Sequence, residues 1–180
     1  MQQAIVIATT PDSTPFLQNL LFSISGYDEY PIIILSDYSY ELGKIKFVME
    51  HTDFDEFLLL HDSCEIKDTD LFRVVFDEMK GKSVSLSKSP RPVGSYLGKY
   101  RRSVLEQMDI PIINSKMESV VQEEDFNRSY PDKWYYLPQS LRNSDVFIDM
   151  FGKRVMVLEN NYLKKYKSVW RREQIKPLSK

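Results

Sequence analysis

Polar and apolar positions fall into short, well-separated blocks along the first 80 residues. Ala4-Ile5-Val6-Ile7-Ala8 is an unbroken apolar run, the pattern of a parallel strand buried on both faces. Thr14 is placed to cap a helix whose first turn holds Pro15, where a missing N–H costs nothing. Phe16, Leu17, Leu20, Leu21 and Ile24 mark one face of that helix, and Gly26 ends it. A second buried strand follows at Ile32-Ile33-Ile34-Leu35 and closes on Ser36-Asp37. Leu42, Ile45 and Val48 or Met49 give residues 41–50 a helical stripe. Phe57-Leu58-Leu59-Leu60 predicts the third strand, ending abruptly at His61-Asp62-Ser63-Cys64-Glu65. A helix beginning near Asp68 or Thr69 then presents Leu71, Phe72, Val75, Phe76 and Met79. Strand and helix alternate three times, which predicts an α/β layer structure with right-handed crossovers and a mostly parallel central sheet.

The second half is less regular. Val84-Ser85-Leu86 reads as a strand, followed by a loop through Pro90, Pro92, Gly94 and Gly98. A short helix carries Tyr100, Val104, Leu105 and Met108 until Pro111 stops it. Ser115 and Glu118 have capping-box spacing, opening a helix that contains Glu123, Glu124 and Asp125. Val146-Phe147-Ile148 and Val155-Met156-Val157-Leu158 predict two strands with a turn at Gly152. From Asn161 to Gln174, helical spacing groups Tyr162, Tyr166, Val169 and Trp170 on one face, with basic residues elsewhere. The expectation is one domain over residues 1–160, completed by a basic amphipathic C-terminal helix over 161–180.

Composition narrows the class. A chain of 180 residues that is 42% hydrophobic and 13% aromatic can bury a real core and is not disordered. No apolar run approaches the roughly 20 residues of a membrane span. The N-terminus runs almost directly into a strand, without the basic n-region or cleavage site of a secretory signal. Cys64 is the single cysteine, so no internal disulfide can form, and a reducing cytoplasm is the expected location. The net charge of −2 hides a gradient: −10 over residues 1–80, +1 over 81–152 and +7 over 153–180. An acidic half suits cations; a basic end suits phosphate, nucleic acid or an anionic surface, or it simply solvates the chain.

In an open α/β sheet, ligands bind beyond the carboxyl ends of the strands. Thr9-Thr10, Asp37 and Asp62-Ser63-Cys64-Glu65 occupy those ends. Carboxylates there can hold a hard divalent cation, Mn²⁺ or Mg²⁺, which in turn bridges to a diphosphate. His61 is either a further ligand or a polar strand-end residue, and His51 has no identifiable partner. Cys64 reads as a small buried side chain, since no adjacent base lowers its pKa. Trp134, Tyr135 and Tyr136 offer stacking surfaces or core. Between Gly94 and Arg102, the glycines, tyrosines, Lys99, Arg101 and Arg102 suggest a mobile loop over a polyanion, although the spacing is not that of a P-loop.

The order of these elements resembles the GT-A glycosyltransferase fold, in particular the large inverting family with small bacterial and phage members. Ile5-Val6-Ile7-Ala8-Thr9-Thr10 resembles that family's opening strand and loop. Ile32-Ile33-Ile34-Leu35-Ser36-Asp37 resembles its second strand, whose terminal aspartate contacts the nucleotide base. Phe57 through Glu65 stands where the family runs an apolar strand into a D-x-D motif, and Gln122-Glu123-Glu124-Asp125-Phe126 resembles its later E-D motif. Two departures are plain: Cys64 takes the place of the second D-x-D aspartate, and the segment between Asp37 and Phe57 is short.

The resemblance implies an inverting, metal-dependent transfer from a nucleotide-diphosphate sugar, expected to be a UDP-sugar, in a single Rossmann-like domain. Thr9, Thr10 and Asp37 would contact the nucleotide. Asp62 and Glu65 would hold the cation, and Asp125 would be the base, with Glu124 in reserve. Lys99, Arg101 and Arg102 would meet the acceptor or the phosphates. The acceptor is either a nucleic acid carrying modified bases or a glycan or lipid. The rival reading is a degenerate domain that binds a nucleotide or a partner without transferring sugar. A nucleotidyltransferase fits less well, because Thr9-Thr10-Pro11-Asp12 is not a glycine-rich basic loop.

Overall fold

The computed structural model describes residues 1–86, 97–113, 115–137, 139, 141–148 and 154–167. Its centre is β1 (Gln3–Thr9), flanked in parallel by β2 (Ile32–Ser36) and β3 (Glu56–His61). Ile5 sits in register with Ile32 on one side and Leu58 on the other. Ala4 to Ile7 and Phe57 to Leu60 are wholly shielded from solvent, which is why neither strand needs a polar face. Successive side chains divide between the two sides of the sheet. Ile5, Ile7, Leu58 and Leu60 meet helix α1 (Thr14–Ser23) and the segment after β3, while Val6, Phe57 and Leu59 meet helix α2 (Tyr40–His51). Burying each such side chain contributes about 1.5–3 kcal/mol.

Beyond β3 the chain turns into β4 (Cys64–Ile66) and then α3 (Asp70–Arg73), which continues as a π-helical turn over Val74–Glu78. Leu71, Phe72, Val75 and Phe76 close the first core from this side, as their spacing predicted. The central sheet has six strands in the order β2-β1-β3-β6-β5-β7, with β5 at Ser83–Ser85, β6 at Gly98–Arg101 and β7 at Trp134–Tyr136. Here β6 runs antiparallel to both neighbours, whereas β5 and β7 are parallel. Helix α4 (Arg102–Leu105) follows β6, and α5 (Lys116–Ser129) starts where Ser115 Oγ accepts from the Glu118 N–H at 3.2 Å. The expected α/β class, a Rossmann-like central sheet flanked by helices, is the fold observed.

Two expected elements are different. Tyr100, read as helical, lies in strand β6, and Gly98 to Arg101 are part of the sheet instead of a loop. The residues expected to open a C-terminal helix at Asn161 form β10 (Leu163–Lys167) instead. This strand joins β4, β8 (Arg142–Ile148) and β9 (Arg154–Glu159) in a four-stranded sheet of order β4-β10-β9-β8, every pair antiparallel. Ladder pairing to two neighbours outweighs the helical spacing of Tyr162 and Tyr166. Gly94, the turn at Gly152 and residues 168–180 lie outside the described residues.

Candidate functional site

The carboxyl ends of β1, β2 and β3 converge on one edge. Thr9, the last residue of β1, is buried, and its Oγ1 donates to Asp62 Oδ2 at 2.8 Å. The Asp62 N–H donates to the Ala8 carbonyl at 3.0 Å, so β1 clamps the residue that leaves β3. Among the described residues Thr9 is the hydrogen-bond donor to the Asp62 carboxylate. Thr10 turns the chain with its hydroxyl 3.0 Å from Ser13 Oγ.

Asp37 lies just beyond β2, half exposed at this same edge. Its Oδ1 accepts from the buried Lys44 ammonium at 2.8 Å and from the Ser39 N–H at 2.6 Å. Burial opposes ionisation, but the Lys44 and Ser39 bonds prevail and hold the carboxyl below its ordinary range. The turn into α2 is tight: Tyr40 has φ +57°, and a Cβ on Gly43 would stand 2.4 Å from Ser39 Cβ. Glycine at 43 is what lets this turn close around Asp37.

His61 ends β3 with Nε2 2.5 Å from Glu41 Oε1 on α2. Glu41 in turn lies against Glu123 of α5, which accepts from Ser119 Oγ at 2.6 Å. Burial would raise Glu41, but the His61 ring and the hydrogen bonds hold it far below the usual carboxylate range. Burial pushes His61 down, helped by the Lys165 charge, against the opposing pull of Glu41 and Asp62. The consistent state at neutral pH is a neutral imidazole in close contact with an ionised Glu41. Tyr100, fully buried near both glutamates, is pushed well above its ordinary value by burial and stays protonated.

Several candidate residues from the sequence fall elsewhere. Asp125 is 63% exposed on the outer side of α5, with Arg128 as an i,i+3 partner at 3.9 Å. Among the described acids of that helix, Glu123 lies against Glu41 of α2. Phe126 and Asn127, three and four positions on, are buried, so Glu123 shares their face and Asp125 does not. That signal was present in the sequence. Of Glu124 only its place in α5 is described.

Lys99, Arg101 and Arg102 are scaffold cations. Lys99 is fully buried and donates to Glu56 Oε2 at 2.9 Å and to the Met79 carbonyl at 2.8 Å. Arg101 pairs with Asp132 at 3.1 Å. Arg102 spreads its guanidinium over the carbonyls of Val48, Met49, Thr52 and Phe54, capping the end of α2. A phosphate-binding loop needs donors left for a ligand, and these are committed to the fold.

The expected cation site also meets a poor fit. Cys64, in the place of the second D-x-D acid, points into the hydrophobic core. Glu65 points to the opposite side of β4, where its carboxylate accepts from Tyr166 Oη at 2.6 Å and lies 3.8 Å from Lys164 Nζ. Glu65 is thus engaged by Tyr166 and Lys164, whereas Asp62 accepts from Thr9. Beside Asp62 in the chain, Ser63 Oγ accepts from the buried Lys165 ammonium. Among the described residues, no group of three or more His, Cys, Asp or Glu is arranged to hold a metal. Nor is any described helix long and apolar enough to cross a membrane. Sequence reasoning missed Lys44, Glu41 and Lys165, whose roles depend on tertiary contacts with no local signature.

No protein-family model matches the sequence, and no curated protein does. The fold is similar to that of A197 from STIV, with a TM-score of 0.53 and 14% identity over 89% of this chain and 95% of that one. S. aureus TarS 1-349 gives a TM-score of 0.48 at 14% identity, over 76% of this chain and 58% of that one. A glycosyltransferase involved in the glycosylation of the major capsid of PBCV-1 gives 0.45 at 9% identity, over 74% and 82%. At 14% identity, the likeness to A197 is one of fold alone.

Proposed function

We propose that this chain transfers a sugar from a nucleotide-diphosphate sugar to an acceptor hydroxyl, with inversion at the anomeric carbon. The observation that carries the reading is the meeting of Thr9, Asp37 and Asp62 at the carboxyl edge of three parallel strands. An edge of this kind is where open α/β sheets take nucleotides. Asp37, held ionised and half exposed, suits the N–H donors of a uracil or guanine ring, and a UDP-sugar is the first donor to test. Asp62, anchored by Thr9, would face the sugar and diphosphate.

In the reaction, the acceptor oxygen forms a bond to the anomeric carbon as the bond from that carbon to the phosphate oxygen breaks. The electron pair leaves with the nucleoside diphosphate, and the acceptor proton passes to a carboxylate. Glu123 is better placed for that role than Asp125, because it is tied to Glu41 and His61 at the strand ends. A general base contributes about 10²–10⁴-fold. Because Cys64 and Glu65 do not join Asp62 in a cation site, no step here is routed through Mn²⁺ or Mg²⁺. The acceptor would be a glycan, a lipid or a nucleic acid.

The fate of Cys64 and Glu65 favours one rival, a nucleotide-binding domain without transfer activity. Donor hydrolysis and calorimetry with UDP and GDP separate the two. A transferase binds one nucleotide, loses affinity about tenfold in Asp37→Asn and slowly hydrolyses the matching sugar donor. Binding without turnover of any donor supports the rival, and no binding at all removes the donor site.

A further inference from the structure

We infer that Lys82 and Lys133, gathered over the ring of Tyr135, form a binding site for a phosphate group. The site is independent of the donor-site reading above. Strands β5 and β7 are parallel with Ser83 in register with Trp134, so the two lysines stand side by side just ahead of them. Lys82 Nζ lies 5.0 Å from the centroid of the Tyr135 ring, and Lys133 Nζ lies 5.3 Å from it. Because β6 is antiparallel to both β3 and β5, these strands start at the Glu56 end of the sheet, opposite Asp37 and Asp62. The Gly81 N–H donates to Glu56 Oε1 at 2.8 Å, which fixes the residue next to Lys82 at that end. A phosphate held here is therefore not the donor diphosphate.

What sets these two lysines apart is that no acid consumes them. Lys44, Lys46, Lys67, Lys99 and Lys164 each have a carboxylate oxygen at 4.0 Å or closer. Among the described residues, the Lys82 and Lys133 ammonium groups have no carboxylate partner and make no hydrogen bond. Asp132, next to Lys133 in the chain, is already taken. Its Oδ2 accepts from Ser83 Oγ at 2.7 Å and Arg101 at 3.1 Å, and its Oδ1 from the Lys133 N–H at 2.8 Å. Lys133 is exposed and Lys82 half-buried, so the pair is open to a ligand. Two ammonium groups gathered at one ring repel each other, and an oxyanion between them turns that repulsion into attraction. A cation resting on a ring face keeps N–H groups on its other side for hydrogen bonds. Such bonds to phosphate are charge-assisted, and the ring limits the freedom lost in placing two flexible side chains.

Amide shifts of the ¹⁵N-labelled full chain, titrated with inorganic phosphate and with a short oligothymidylate, test the inference. Each titration is compared with sodium chloride at matched ionic strength. The amides of Lys82, Lys133 and Tyr135 should move and saturate, with a dissociation constant for phosphate on the order of 1 mM. A site that weak stays largely empty in micromolar nucleotide. Lys46 and Lys67, paired with Glu50 and Glu159, should move no more than in chloride. Lys82→Met and Lys133→Met should each weaken binding about tenfold, and Lys133→Arg should retain most of it. Saturation by phosphate alone assigns the site to the free anion. Tighter saturation by the oligothymidylate at the same residues assigns it to phosphates carried on a strand. Shifts that match chloride with both probes, or an affinity unaltered in both methionine variants, would overturn the site. The wild-type titrations need no variant to fold.

Discussion

The two ends of strand β3 carry charge in opposite ways. At its start, Glu56 is almost wholly buried and accepts three hydrogen bonds from three parts of the chain. Its Oε1 accepts from the Gly81 N–H at 2.8 Å, and its Oε2 accepts from Gln3 Nε2 at 2.8 Å and Lys99 Nζ at 2.9 Å. At its end, Asp62 accepts from Thr9, Asp37 stands half open to solvent across the edge, and Glu41 and Glu123 share a contact. The first end is a closed lock whose polar groups satisfy one another. The second end is a pre-ordered set of acids of which Asp37 stays open to solvent. Burial alone does not mark a site; what distinguishes the two ends is how far the fold consumes the charges it buries.

Breaking the lock should give the largest effect on stability. Glu56→Ala leaves the Lys99 ammonium buried without its carboxylate and should cost about 3–5 kcal/mol in urea unfolding. If Glu56→Ala instead stays within roughly ±0.5 kcal/mol of wild type, as an ordinary surface change does, the lock has been misjudged. At the other end, Thr9→Val removes one hydrogen bond to Asp62 and should cost only about 1 kcal/mol. Nucleotide affinity in that variant should nevertheless fall, which a parallel titration would reveal; unchanged affinity would separate Asp62 from the donor.

Acidity sharpens the comparison further. The folded His61 binds its proton below the ordinary value of 6.5, so the unfolded chain takes up more protons as pH falls below that point. Stability should therefore decline on acidification from about pH 6.5, and His61→Gln should flatten that part of the profile. Glu41 and Asp37, both lowered in the fold, contribute stability that is present above their unfolded values and lost at lower pH still. Parallel profiles for wild type and His61→Gln would contradict the neutral, buried ring. The smallest effects belong to α5: Asp125→Asn should change stability by less than about 0.5 kcal/mol and leave turnover intact, while Glu123→Gln should lower turnover about 10²–10⁴-fold. The reverse ranking would restore Asp125 as the base.

The strands that the sequence made legible are the ones buried on both faces, because Ala4–Ile7 and Phe57–Leu60 can tolerate nothing but apolar residues. Strands β6 and β10 were hidden for the converse reason. Lys99 and Lys165 point inward, and each is accommodated by a partner far away in the chain, Glu56 for one and Ser63 for the other. A lysine-rich stretch reads as surface until its partner is known. Thr9, Asp37 and Asp62 were legible as strand ends, and their convergence followed from parallel pairing. Glu41 was not, since its tie to His61 depends on how α2 packs over β3.

The donor site is tested most directly by mapping amide shifts in an ¹⁵N-labelled sample titrated with UDP, and separately with GDP. The account predicts perturbations confined to Thr9–Asp12, Asp37–Glu41 and Asp62–Ser63, with Glu56, Gly81 and Lys99 unmoved. Shifts centred on the Glu56 end of the sheet, or none with either nucleotide, would contradict it.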